Sequence, residues 1–164
     1  MRLIEGTNIF ISSRGDSNIR THNERNIEMK PSVLIVDDES VICSGLSRLL
    51  KHDYITYTAY NGIEALDILK KNENIDVILC DIKMPGMNGI ELIEKIRTEN
   101  KDLYILVITA AASPITVCDA IKKGANYYIR KPFDIKHLET TLQKAVSRSK
   151  GYTSQDTAIN SILF

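Results

Sequence analysis

From residue 33 onward, short apolar and β-branched runs alternate with longer segments of helical periodicity. Each short run is followed by turn or helix-capping residues, which predicts strands at 33–37, 54–59, 76–81, 104–109 and 126–130. The segments between and after them predict helices at 39–51, 61–72, 88–99, 114–123 and 134–149. Strand–helix units in unbroken succession predict a parallel sheet with helices on both faces.

Three of the strand runs, at 33–36, 77–80 and 105–108, are apolar at every position instead of alternating with polar residues. This pattern is typical of strands that are buried on both faces of a sheet. We therefore expect an α/β fold with a doubly wound, five-stranded parallel sheet. For its strand order we expect 2-1-3-4-5, which is one of the common orders of such sheets. In that order, ligands bind beyond the carboxyl ends of strands one and three.

Residues at the helix ends support these bounds. Asn61 and Glu64 have the spacing of a capping box at the start of the second helix. Asn88 and Asp134 are predicted N-caps of the third and fifth helices, and Gly124 is predicted to end the fourth.

The two ends of the chain differ from this pattern. Residues 1–30 are polar and lack sustained periodicity, so they predict a disordered leader or a mis-assigned start, with Met29 as the native initiator. Residues 31–150 are expected to form one domain. Residues 151–164 predict a flexible tail, although its last three residues are apolar.

Composition excludes several classes of protein. Lys+Arg and Asp+Glu are equal at 21 each, so no overall charge favours direct nucleic-acid or membrane binding. No apolar stretch is long enough for membrane insertion. The three cysteines, Cys43, Cys80 and Cys118, form no Cys-x-x-Cys pair, which favours the cytoplasm over an oxidising compartment. We expect all three to be small core residues.

Acidic residues follow two of the apolar strands. Asp37 and Asp38 come after the first strand, and Asp81 ends the third, just before a loop rich in Pro and Gly. In the expected strand order these carboxylates converge at one edge of the sheet. Hard oxygen ligands suit Mg²⁺, so the sequence predicts a magnesium site and phosphate chemistry there, with Asp81 as the acceptor.

Two further strand ends carry complementary groups. Thr109 ends the fourth strand, and Lys131 follows the fifth. A hydroxyl and an ammonium group that face a metal-bound carboxylate can bind the remaining oxygens of a phosphoryl group.

Taken in order, these segments resemble the receiver domain of bacterial two-component response regulators. The resemblance rests on Val-Asp-Asp-Glu at 36–39, Asp-Ile-Lys-Met-Pro-Gly-Met-Asn-Gly at 81–89, Thr-Ala at 109–110 and Lys-Pro-Phe at 131–133. It covers about residues 32–149. It implies a flavodoxin-like fold and a stand-alone phosphorylation switch.

The resemblance assigns roles to the acidic residues. It implies that Asp38, Asp81 and the backbone carbonyl of Lys83 bind Mg²⁺ directly, and that Asp37 positions the metal through water. It implies that Asp81 receives a phosphoryl group from phosphohistidine and becomes an aspartyl phosphate.

It also assigns roles around the phosphoryl group. Thr109, the amide of Ala110 and Lys131 would bind the phosphoryl oxygens, with a cis bond between Lys131 and the following proline. Thr109 and Tyr128 would form the switch, with Tyr128 turning inward after phosphorylation. Tyr127 is the alternative inward aromatic residue if the strand register is shifted.

By the same resemblance, two positions that vary in the family, Lys83 and Ala111, would tune the lifetime of the aspartyl phosphate. The implied partners are a sensor histidine kinase or a histidine phosphotransfer protein, and a downstream effector protein. The domain would not be an enzyme beyond its own phosphorylation and dephosphorylation.

Two alternatives remain from the sequence. One is a Mg²⁺-dependent phosphohydrolase with an aspartyl nucleophile. Lys83 stands where haloacid-dehalogenase enzymes carry a second aspartate, which argues against it. The other is a receiver fragment of a longer DNA-binding regulator.

Overall fold

The computed structural model describes residues 30–110 and 112–151, and it confirms five alternating strands and helices. The strands are β1 (Ser32–Val36), β2 (Ile55–Ala59), β3 (Val77–Cys80), β4 (Tyr104–Thr109) and β5 (Tyr127–Arg130). The helices are α1 (Ser40–Leu50), α2 (Gly62–Lys71), α3 (Gly89–Glu99), α4 (Pro114–Lys123) and α5 (Ile135–Ser149). Predictions about the leader through Met29, about Ala111 and about the tail after Gly151 lie outside the described residues.

All neighbouring strands are parallel and lie in the order β2-β1-β3-β4-β5, as predicted. β1 lies between β2 and β3, and the chain reverses its direction of winding there. Val36 is paired with Cys80, so the carboxyl ends of β1 and β3 are level with each other. This register brings the residues that follow the two strands side by side.

The sheet separates two apolar layers. One face packs against α2, α3 and α4, with Leu34, Ile78 and Val107 among its buried strand residues. The other face packs against α1 and α5 and includes Ile35 and Ile129. Because successive strand residues point to opposite faces, each fully apolar strand supplies both layers.

Side-chain caps begin most of the helices. Asn88 accepts a hydrogen bond from the amide of Glu91, whose carboxylate accepts one from the Asn88 amide, so α3 starts with a complete capping box. At α2, Asn61 accepts from the Glu64 amide, but the Glu64 carboxylate accepts from Tyr60 instead of Asn61. The capping box predicted at α2 is therefore only half formed, because the Glu64 side chain reaches one residue further back.

Asp134 and Gly124 behave as predicted. Asp134 accepts from the amide of His137 at the start of α5. Gly124 ends α4 with a φ angle of 113°, a left-handed conformation that glycine adopts without steric cost.

One cysteine prediction is wrong. Cys43 and Cys80 are buried, but Cys118 is exposed on α4. The only buried residue among the ten of α4, all of them described, is Ala120. Cys118 lies two positions before Ala120, and a step of two residues turns about 200° around a helix. Cys118 therefore points away from the side of α4 that faces the sheet.

Within the part of the chain that the structure describes, no helix is both long enough and apolar enough to cross a bilayer.

Candidate metal centre

Three carboxylates converge at the carboxyl edge of β1 and β3. The Asp37 amide donates to Ala59 O at 3.1 Å and the Asp81 amide to Val36 O at 2.9 Å, so the sheet hydrogen bonding continues up to both acids. One oxygen from each of Asp37, Asp38 and Asp81 lies within 4.8 Å of the others. Asp37 and Asp81 are buried, whereas Asp38 is exposed. The sequence therefore predicted this convergence correctly.

Backbone amides orient the two buried carboxylates. Asp37 Oδ1 accepts from the Glu39 amide at 2.9 Å. Asp81 Oδ1 accepts from the Ile82 amide at 2.6 Å, and the Lys83 amide lies 3.4 Å from the same oxygen. Each acid thus has one oxygen tied to its own loop while the other, Oδ2, faces the centre of the site.

Lys131 lies between these inward oxygens. Its Nζ is 2.5 Å from Asp37 Oδ2 and 3.4 Å from Asp81 Oδ2. Burial alone would lower the pKa of Lys131, but the hydrogen bond to Asp37 and the charges of both acids outweigh burial and raise it. The ammonium group therefore stays protonated and partly neutralises the acidic cluster.

The donor set fits a small divalent cation. Magnesium prefers oxygen ligands and is commonly bound through one or two carboxylates together with water. Asp37 and Asp81 present rigid, buried oxygens, and the exposed Asp38 leaves one side of the cluster open to solvent. Such a site can hold a metal while keeping room for another ligand.

Thr109 and Lys131 are joined through their backbones. Thr109 is fully buried at the end of β4, and its carbonyl accepts from the Lys131 amide at 2.9 Å. The peptide bond between Lys131 and Pro132 is cis, as expected. Ala110 follows Thr109 directly and is exposed. The structure thus brings the hydroxyl-bearing and amine-bearing strand ends to the same edge as the carboxylates.

The strand register places the two tyrosines of β5 on opposite faces of the sheet. Tyr128 pairs with Val107, which belongs to the layer against α3 and α4. Thr109, two residues after Val107, shares that face, whereas Tyr127 lies on the opposite face with Ile129. The two rings are about equally exposed, at 43% for Tyr127 and 41% for Tyr128. Tyr128 is therefore the aromatic residue on the Thr109 side.

Two thiols lie against the backbone of the site. Cys43 Sγ is 3.3 Å from Asp37 O, and Cys80 Sγ is 3.0 Å from Asp81 O. Burial, then the nearby Asp37 charge, raises the pKa of Cys43 to about 11. Burial also raises the pKa of Cys80. Both thiols stay protonated at neutral pH and can donate to these carbonyls.

Sequence reasoning missed the contribution of Gly89. This residue begins α3, and its amide donates to Ile82 O at 2.9 Å. Its α-carbon lies so close to the backbone of Asp81 and Ile82 that a side chain would collide with them. The local sequence does not distinguish Gly89 from Gly62, because the tetrapeptide Asn-Gly-Ile-Glu occurs both at 61–64 and at 88–91.

Comparison with known proteins decides the family. Residues 33–143 match the family described as the response regulator receiver domain. The chain belongs to this receiver family. The match covers every strand of the sheet except the first residue of β1, and it includes all the predicted site residues.

Similar receivers occur in both short and long proteins. The chain is 38% identical over 125 residues to a chemotaxis protein CheY homologue of Campylobacter jejuni, covering 73% of this chain and 95% of that protein. It is 37% identical over 119 residues to the transcriptional regulatory protein ZraR of Klebsiella oxytoca, covering 72% of this chain but only 27% of that protein.

Solved structures agree with the fold. The Vibrio cholerae chemotaxis protein CheY4 is 35% identical, with a TM-score of 0.67 over 70% of this chain and 98% of that one. A Clostridium thermocellum receiver domain is 30% identical, with a TM-score of 0.69 over 73% and 97% of the two chains. Receiver membership confirms a role in two-component signal transduction and favours the switch prediction over the phosphohydrolase.

Proposed function

We propose that this receiver accepts one phosphoryl group on Asp81 and thereby changes its affinity for another protein. The observation that carries the proposal is the cluster of three carboxylate oxygens within 4.8 Å, with the Lys131 amine beside it. The phosphoryl donor would be a phosphohistidine of a sensor histidine kinase or of a histidine phosphotransfer protein. The recipient of the signal would be a downstream effector protein.

In the proposed transfer, an Asp81 carboxylate oxygen attacks phosphorus in line with the bond to the donor imidazole. The new P–O bond forms as the P–N bond breaks, and the departing electron pair stays on the imidazole nitrogen, which then takes a proton from solvent. Asp81 Oδ2 is the better placed nucleophile, because Oδ1 is held by the Ile82 amide at 2.6 Å.

We propose that Mg²⁺ is held by Asp37, Asp38, Asp81 and the Lys83 carbonyl. A bound magnesium ion would offset the repulsion between an anionic acceptor and an anionic donor. The oxygens of the phosphoryl group would then be bound by groups on the neighbouring strand ends, namely Lys131, Thr109 and the Ala110 amide.

The output step would follow from the position of Thr109. In the proposed switch, its hydroxyl moves toward the phosphoryl group and Tyr128, on the same face of the sheet, turns inward behind it. Such a change shifts a conformational equilibrium and alters the surface that α4, β5 and α5 present to a partner.

Intact-protein mass spectrometry tests the acceptor assignment. The chain is incubated with acetyl phosphate and Mg²⁺, and we expect a gain of one phosphoryl group that hydroxylamine removes, as it does from acyl phosphates. Asp81→Asn and excess EDTA should each abolish the gain.

Asp67→Asn is the matched control, because Asp67 is exposed on α2, away from the acidic cluster. This variant should be labelled like the wild type. Labelling of Asp81→Asn at the wild-type rate would show that another residue is the acceptor.

A further inference from the structure

The chain uses the same tetrapeptide, Asn-Gly-Ile-Glu, to begin two consecutive helices. In both copies the asparagine accepts a hydrogen bond from the glutamate amide, and the glycine is the first helical residue. The helix α2 begins at Gly62 and α3 at Gly89. The two glycines therefore have the same local role in capping.

Backbone conformation does not require glycine at either position. The positive φ angles among the described glycines belong to Gly86, Gly124 and Gly151. Gly62 and Gly89 have helical conformations that alanine adopts with a better intrinsic propensity. The reason for glycine must therefore be sought in the surrounding space.

The surroundings of the two glycines differ. A Cβ atom at position 62 would meet the Met87 side chain at 2.8 Å, and a methionine side chain can move aside. A Cβ atom at position 89 would overlap the carbonyl oxygen of Asp81 and lie 2.8 Å from the α-carbon of Ile82. These are backbone atoms of the candidate acceptor and its neighbour.

The Asp81 backbone has little freedom to move away. Its amide donates to Val36 O at 2.9 Å, its carbonyl lies 3.0 Å from Cys80 Sγ, and the next carbonyl, of Ile82, accepts from the Gly89 amide at 2.9 Å. A side chain at position 89 would therefore displace the turn after β3 and, with it, the Asp81 carboxylate and the Lys83 carbonyl.

We propose that Gly89 is a positioning residue for the acidic site: its missing side chain lets α3 dock directly on the backbone of Asp81 and fixes the oxygens that bind Mg²⁺. The inference rests on the proposed function for the identity of the metal ligands. It assigns to the start of α3 a role beyond capping that helix.

The test compares Gly89→Ala with Gly62→Ala, which makes the same change in the same tetrapeptide. Mg²⁺ binding is measured by isothermal titration calorimetry, and exchange of the Ile82 amide is measured by NMR without metal. For Gly89→Ala we expect about tenfold weaker Mg²⁺ binding, as is typical when a group that orients metal ligands is lost. The Ile82 amide should exchange faster, because its bond to Asp81 Oδ1 is disturbed. Gly62→Ala should keep wild-type values in both measurements.

Two results would overturn the proposal. One is wild-type Mg²⁺ affinity in folded Gly89→Ala. The other is an equal loss of Mg²⁺ affinity in Gly89→Ala and Gly62→Ala, which would mean that an alanine at either helix start has this effect. A merely structural role would lower the melting temperature of Gly89→Ala without changing the Mg²⁺ affinity of the folded protein.

If Gly89→Ala alone does not fold, the Gly45→Ala background provides added stability, since a Cβ at position 45 of α1 meets nothing within 4 Å. A Mg²⁺ titration of the wild-type chain by NMR needs no variant. The NMR signal of the Gly89 amide should shift with the same midpoint as that of the Ile82 amide, and by more than that of the Gly62 amide. A Gly89 amide signal that does not shift would contradict the proposal.

Acetyl phosphate labelling of the wild type separates this inference from the proposed function. A wild type that binds Mg²⁺ but takes up no phosphoryl group would refute the function and leave the positioning role standing. Labelling of both wild type and Gly89→Ala with the same Mg²⁺ dependence would refute the positioning role alone.

Discussion

Lys131 occupies the space between the two buried carboxylates of the site. Its ammonium is 2.5 Å from Asp37 Oδ2 and 3.4 Å from Asp81 Oδ2, so it bonds to carboxylate oxygens of two residues that we propose hold the metal. A divalent cation entering the cluster would meet a positive charge at close range and would compete with it for these oxygens. We therefore expect Lys131 to lower metal affinity while it prepares the site for an anionic phosphoryl group.

Replacing Lys131 by alanine is expected to strengthen Mg²⁺ binding and slow phosphorylation. Removing one unit charge about 4 Å from a doubly charged ion changes the binding free energy by about 2 kcal/mol even at the dielectric constant of water, or roughly thirtyfold in affinity. Calorimetric Mg²⁺ titration and acetyl phosphate labelling measure the two effects. Lys136→Ala, at an exposed position in α5, is the control and should change neither. Weaker Mg²⁺ binding in Lys131→Ala would contradict the competition.

At the scale of the elements, α4 and α5 differ sharply in how they are held. Leu138, Thr141, Leu142 and Ala145 of α5 are buried, whereas α4 buries Ala120 alone among its ten described residues. A helix with so little buried apolar surface depends on local interactions for its stability. Ser113 supplies one of these, because its hydroxyl accepts from the Thr116 amide at 3.1 Å.

We expect Ser113→Ala to loosen α4 with little effect on global stability. The lost cap costs about 1 kcal/mol, and a weakly packed helix absorbs that cost by local opening. Hydrogen exchange by NMR should show faster exchange of the α4 amides at a nearly unchanged melting temperature. Asp134→Ala removes the equivalent cap from the well-packed α5 and should lower the melting temperature. An equal drop in melting temperature in Ser113→Ala and Asp134→Ala would show that α4 unfolds only with the rest of the domain.

The carboxyl end of α4 is fixed more firmly, by a residue of α3. Arg97 donates to the Gly124 carbonyl from Nε at 3.0 Å and from Nη2 at 2.8 Å, and Nη2 is 2.9 Å from Asn126 Oδ1. Burial lowers the pKa of Arg97 from its usual value, although the guanidinium remains charged at any physiological pH. These bonds connect α3 with the turn that leads into β5.

At the scale of the whole molecule, the ionisable groups of the core and the site favour neutral over alkaline pH. The pKa of Cys43 rises from 9.0 to about 11 on folding, because burial and the Asp37 charge disfavour the thiolate. Between these values the unfolded chain has lost a proton that the folded chain keeps. The free energy of unfolding must therefore fall as pH rises through this window. Lys131 acts in the same direction, since its pKa is raised on folding and its contribution is lost as pH passes the folded value.

Urea unfolding at several pH values should reveal this loss. We expect a nearly constant free energy of unfolding up to about pH 8 and a decline above about pH 9, of up to about 1.4 kcal/mol per pH unit for each buried thiol. Cys43→Ala should flatten the decline, whereas Cys118→Ala, at an exposed position, should not. A slope that is the same in Cys43→Ala and the wild type would show that other groups control the alkaline limit.

The sequence by itself determined the elements, the strand order and the acidic residues of the site. Helix and strand bounds predicted from periodicity and caps differ from the observed ones by no more than one residue. This succeeded because the three central strands are continuous apolar runs, the two edge strands are rich in β-branched and aromatic residues, and the helices have one apolar face, so local and tertiary preferences agree. The convergence of the carboxylates could be predicted because they directly follow two strands that lie side by side in the expected strand order.

The tertiary structure alone decided how the loops and side chains meet. Glu64 and Glu91 end two copies of the same tetrapeptide, but Glu64 accepts from the Tyr60 amide, whereas Glu91 completes a capping box. Only the packing around each helix start accounts for this difference. The register of β4 and β5 places Tyr128 on the Thr109 side. The need for glycine at position 89 comes from the Asp81 backbone, eight residues earlier in the chain. Such contacts depend on distances between elements, which periodicity and propensity do not encode.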